Sequence, residues 1–258
     1  MHTGTWPRAG KRGVSVSRVE QLLLNAIQAA GNKPPDSAPA PTKKNYNQRL
    51  SDEVAFALAD ELRARGMVET RPSPSGAPGP RGSERRLAGG IGAKKVDVSW
   101  ATEESGLVFA ISVKSIMFRD GASGNFQKNL TNRRGDMLVE AVTLHRRFPY
   151  AVLAAFFVLD AAAEHDGTGR RKSTFENAFA RLRLFTRRPD PAGREEQFER
   201  FFLALVDTDQ SNPTVRVFEV NDGSQEIDLS DALDELVELI GERNFDLYDG
   251  TDGMITKL

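Results

Sequence analysis

The sequence predicts an α/β protein, and three features predict it. Residues 94–114, KKVDVSWATEESGLVFAISVK, alternate apolar and polar side chains on both sides of a turn signal, the pattern of a β-hairpin. Residues 150–159, YAVLAAFFVL, form an almost continuous apolar run of strand length, the pattern of a strand buried on both faces. Segments of helical period lie before, between and after these strands. At 258 residues the chain has room for one large domain or two small ones.

Taken in order, residues 4–13 read as a basic arm, and 16–30 as a short amphipathic helix. Val19, Leu22, Leu23, Ala26 and Ile27 form its apolar stripe. Residues 31–42, rich in Pro, Ala and Ser, read as a linker. A second helix is expected to open with Ser51 as N-cap and Asp52 and Glu53 in its first turn, running to about Arg65 and stopping at Gly66. Residues 71–90, dense in Pro, Gly, Ser and Arg, read as a loop. In the hairpin, Val96, Val98 and Trp100 alternate with Asp97 and Ser99. Leu107, Phe109, Ile111 and Val113 alternate with Val108, Ala110, Ser112 and Lys114. A turn centred between Glu104 and Ser105 pairs positions that sum to 209, which sets Asp97 opposite Ser112. Lys114 then lies two residues further along the same face. Residues 118–135 are glycine-rich and basic, and a helix is expected from there to about Arg147, before Pro149. Residues 173–187 and 194–206 are helical in period, 214–220 reads as a late strand, and 230–241 as an acidic amphipathic helix. No internal repeat is visible.

Composition admits an enzyme and excludes several classes. Hydrophobic residues make up 39% and charged residues 28%, in the range of a globular protein, so no fibrous or disordered class is called for. With no cysteine there is neither a disulfide nor a thiolate zinc site, which favours a cytoplasmic protein. No apolar run reaches the roughly 18 residues of a membrane span, so no membrane role is expected. The N-terminus has no signal-peptide apolar core. Charge is uneven: residues 1–50 hold eight Lys or Arg against two acids (net +6), and residues 201–258 hold three against fourteen (net −11). A basic front with an acidic tail suits a protein that meets a polyanion on one side.

A carboxylate and a lysine pointing together from the centre of a sheet are costly to bury, so they want a purpose; holding Mg²⁺ and activating a water is one. An acid on one strand followed by (D/E)-x-K on the next resembles the PD-(D/E)XK nuclease superfamily, the restriction-endonuclease-like fold. Val96 stands at the motif's proline and Ser112 at its second acid, so Asp97 and Lys114 carry over. The resemblance implies an αβββαβ core, a mixed central sheet flanked by helices, over residues 51–160, with its first strand between 68 and 91. Residues 1–50 would then be an arm, helix and linker, and 161–258 a helical extension with a late strand. The resemblance covers about two-fifths of the chain.

Some restriction endonucleases of this superfamily read Ser-x-Lys here and take the missing carboxylate from the following helix. Asp136 and Glu140 lie there one turn apart and share a face. Glu140 is favoured because it is further from Gly135. Family members often add a glutamate from the earlier helix, and Glu53 is the candidate. Asp97 with Glu140 or Asp136 would hold Mg²⁺, Lys114 would orient or deprotonate the attacking water, and Ser112 would hold a metal-bound water. Arg81, Arg85, Arg86, Arg119, Lys128, Arg133 and Arg134 are candidates for phosphate contacts, and Gln127, Asn129 and Asn132 for base edges. Residues 167–174, GTGRRKST, fall short of a phosphate loop because its required glycines fall on Asp166 and Arg171. The implied activity is Mg²⁺-dependent hydrolysis of double-stranded DNA, as a type II restriction or other defence nuclease acting as a homodimer. A DNA methyltransferase acting on the same site is a partner the resemblance allows. A repair or junction-resolving nuclease of the same fold and a DNA-binding subunit with a decayed site are the alternatives.

Overall fold

The computed structural model describes residues 16–74, 85–221 and 225–258. The basic arm at 4–13 and Arg81 lie outside the described residues, as does the side chain of Arg85. A five-stranded mixed sheet runs in the order β3 (Val98–Thr102), β4 (Gly106–Ile116), β5 (Val152–Asp160), β6 (Arg200–Asp207), β7 (Thr214–Glu219). The two outer pairs are antiparallel and the two inner pairs parallel. Helices α1 (Arg18–Ala30), α2 (Ala40–Ala64) and α5 (Leu229–Arg243) pack on one face; α3 (Leu130–Arg147) and α4 (Thr174–Leu182) pack on the other. The division follows the strand period: Ala154, Phe156 and Val158 point to the first layer, and Leu153, Ala155, Phe157 and Leu159 to the second.

The hairpin keeps the expected pairing where it lies flat: Val98 faces Ile111, Ser99 faces Ala110 and Trp100 faces Phe109. A bulge between Trp100 and Ala101 then shifts the register by one, and Gly106, with φ of +68°, closes the turn. The first strand of the hairpin is not continuous. It breaks at Asp97, and the residues before it form β2 (Ala93–Val96), which pairs with β1 (Arg85–Ala88) in a separate two-stranded sheet. The first strand expected between 68 and 91 therefore leaves the central sheet. Arg71 bridges that edge, exchanging main-chain bonds of 2.8 and 2.9 Å with Ser99.

Three other expectations are corrected. Helix α2 starts at Ala40 rather than at Ser51, so part of the expected linker is helical. Pro41 sits in its first turn, where a missing N–H costs nothing, and Tyr46, Leu50, Val54 and Leu58 carry one buried stripe through Ser51. Helix α3 starts at Leu130 and passes through Gly135, which therefore breaks nothing. Residues 194–206 are not helical: Arg200–Asp207 is β6, parallel to β5. Its residues Phe201–Val206 are all buried, so both faces are apolar and a short run of that kind carries no period that separates strand from helix. Residues 161–258 thus supply two of the five central strands as well as helices. Among the described residues no helix is long and apolar enough to cross a membrane.

Candidate active site

Asp97 occupies the break between β2 and β3. Strand β3 pairs no further than Val98 with Ile111, so the Val113 N–H loses its main-chain partner there. The Asp97 carboxylate replaces it, accepting from Val113 N at 2.7 Å. Residue Ser112 and Lys114 of β4 point to the opposite face from Ile111 and Val113, towards α3. There the Lys114 ammonium donates to Asp97 Oδ2 at 2.9 Å and to the Val113 carbonyl at 3.1 Å, and lies 3.7 Å from Glu140 Oε2. Glu140 arrives because Met137, Ala141 and Leu144 anchor its face of α3 against the sheet.

Burial sets the electrostatics. Side-chain exposure is 23% for Asp97, 17% for Lys114 and 7% for Glu140. Burial pushes the Glu140 carboxyl up to about 7; the Asp97 charge adds to this, while Lys114, Ser112 and Lys94 oppose it. Burial alone would lower the Lys114 ammonium, but Glu140 and Asp97 outweigh it and hold its pKa above the ordinary lysine value. Ser112 Oγ is buried beside Glu140 with no well-aligned hydrogen bond. Asp136 does not join the cluster: its side chain is 58% exposed and pairs with Arg133 at 3.7 Å. Glu53 sits beyond the first turn of α2 and shares only a cleft with Asp97.

Two clefts meet at Asp97. One of about 570 Å³ runs over Lys114 between α2 and the segment 118–133. The other, of about 600 Å³, runs past Glu53, Lys95 and Pro72; Gln48 and Ser51 line both. Of the residues proposed for DNA, Arg119, Lys128, Asn129 and Arg133 line the first cleft. Gln127 reaches the Lys172 carbonyl at 3.5 Å, Asn132 is exposed, and Arg134 stacks on Phe185, so none of the three faces it. Arg86 is exposed on β1 and lines neither cleft. Lys43, Lys44, Asn47 and Gln48 of α2 form the opposite wall, and these sequence reasoning missed. Their signal was the Lys-Lys-Asn run at 43–45, between the expected linker and the helix expected to open at Ser51.

Among the described residues no group of three acidic or histidine side chains converges. The donors gathered around Lys114 Nζ are two carboxylates and one main-chain carbonyl. Mg²⁺ takes one or two carboxylates and completes its shell with waters and substrate phosphates, so this oxygen set fits it. Compared with known proteins, the chain matches no family model, no curated protein and no solved structure.

Proposed function

We propose that the chain is a Mg²⁺-dependent DNA endonuclease of PD-(D/E)XK type. The observation that carries this reading is the Asp97–Lys114–Glu140 cluster: Asp97 and Lys114 line a cleft whose walls carry Lys43, Lys44, Arg119, Lys128 and Arg133, and Glu140 is buried beside them, 3.7 Å from the Lys114 ammonium. Asp97, Glu140 and the Val113 carbonyl would hold the metal; when bound, it lowers the pKa of a water and offsets charge on the phosphate. Lys114 is the residue for the attacking water and the scissile phosphate, because its ammonium is fully charged and aimed into the cleft floor. The cations of the walls position the DNA backbone. A glutamate from the helix after the hairpin supplies the charge that Ser112 lacks. Double-stranded DNA as substrate, a homodimer that cuts both strands, and a role in restriction belong to the same proposal.

The test is incubation with mixed plasmid and phage DNA, with and without Mg²⁺, beside Asp97→Ala, Lys114→Ala and Glu140→Ala. Discrete Mg²⁺-dependent fragments lost in all three variants are expected. Smearing or nicking lost in all three would redirect the reading to a structure-directed nuclease. DNA binding without cleavage by the unaltered chain would refute the enzyme.

A further inference from the structure

The segment 166–173 after β5 has no part in the site described above, yet it is built tightly and carries exposed cations. Thr168 and Arg171 close a turn with main-chain bonds of 2.8 and 3.1 Å, presenting Gly169 and Arg170 at its tip. Asp166, 6% exposed, fastens the segment down: it accepts from Thr174 N at 2.6 Å, from Thr174 Oγ1 at 2.5 Å and from Phe126 N at 3.1 Å. Phe126 belongs to the wall of the main cleft, so the turn and that wall form one unit. Gln127 adds a second tie, donating to the Lys172 carbonyl.

The charges are only weakly compensated. Arg170 and Lys172 are exposed, and among the described residues neither makes an ion pair. The nearby acids bond first to other groups: Glu164 pairs with Arg216, and Glu176 accepts from Ser173 N and Oγ as the capping box of α4, with the Lys172 charge a lesser influence on it. Arg171 turns inward, donating to the Asp166 carbonyl, and so holds the turn rather than a ligand. Two exposed cations on a braced turn, next to a cleft already lined by cations, suit a run of phosphates that leaves the cleft on this side.

We infer that this turn is a second backbone-contact site, at which Arg170 and Lys172 bind phosphates of DNA flanking the segment held over Lys114. The inference rests on the nuclease reading, and it extends the substrate from a short stretch to a longer DNA. The test is equilibrium binding of a long duplex (about 30 base pairs) and a short one (about 8) in Ca²⁺ across a salt series. The proteins are the unaltered chain, the Arg170→Ala/Lys172→Ala pair, and Arg147→Ala, an exposed arginine at the opposite end of α3. For the pair on the long duplex, the slope of log K against log salt should fall by about two, and affinity at 0.1 M salt by up to roughly 60-fold. The short duplex and Arg147→Ala should be unaffected. Binding by the unaltered chain with no change of slope in the pair, or an equal loss on both lengths, overturns this inference alone. No DNA binding by the unaltered chain overturns the nuclease reading with it.

Discussion

Replacing Glu140 by glutamine should make the protein more stable, by an amount that grows as pH rises from about 4.5 to about 7. Glu140 is 5% exposed, and burial raises its carboxyl from an ordinary 4.5 to about 7. Because the folded value lies above the unfolded one, the fold keeps a proton that the unfolded chain releases. The stability this confers is complete below about 4.5 and is lost as pH rises through about 7. At about 1.4 kcal/mol for each tenfold change, ionising Glu140 in place costs about 3 kcal/mol. Glutamine keeps the shape and never ionises. The variant should therefore match the parent at about pH 4 and exceed it by about 3 kcal/mol at pH 8, or about 6–12 °C in Tm for a chain of this size. Thermal unfolding of both proteins in EDTA at the two pH values is the assay. A Tm difference that does not change with pH, or a less stable variant at pH 8, would refute the reasoning. It would mean that Lys114 at 3.7 Å, with Ser112 and Lys94, compensates the buried charge in full. A gain in stability joined to loss of cleavage would mark Glu140 as a group kept for chemistry.

Other substitutions probe the rest of the framework. Lys114→Ala removes an ammonium that shares its oxygens with any bound cation. Calorimetric titration without DNA should show Mn²⁺ binding roughly tenfold tighter than to the parent, a difference of about 1.4 kcal/mol; unchanged affinity would exclude a shared seat. Gly135→Ala, at an exposed helical position where a Cβ meets nothing within 4 Å, should stabilise by about 0.5–1 kcal/mol in denaturant unfolding. Glu199 is fully buried among Arg243 Nη1 at 2.5 Å, Arg188 Nη1 at 3.3 Å and His145 Nε2 at 3.5 Å. Glu199→Gln strips the charge from that cluster and should destabilise by about 3–5 kcal/mol. Burial would raise the Glu199 carboxyl, but His145, Arg243 and the Leu153 N–H hold it below its ordinary value. Its stabilisation is present above about 4.5 and lost as pH falls further, so the variant should lack that part of the parent's acid sensitivity.

The sequence by itself determined those parts whose signal is local. The alternation from Val98 to Val113 marked two strands and their pairing, because side chains on a strand must take opposite faces. The run at 152–159 marked a strand buried twice over. Gly106 carried the hairpin turn in its own chemistry. Only the tertiary structure decided the rest. Strand β6 reads no differently from a buried helix, and its place between β5 and β7 depends on partners far along the chain. The break at Asp97 exists because β1 and β2 pair away from the central sheet, which frees its carboxylate to cap Val113 N and meet Lys114. The choice of Glu140 over Asp136 likewise followed from packing, since residues one turn apart on one helix differ only in how deep the sheet draws them. Lys43 and Lys44 joined the cleft for a similar reason: the helix that carries them is held by Tyr46 and Leu50 in a core assembled from elements all along the chain. Local sequence writes the period of each element, while burial by distant neighbours decides which side chains converge.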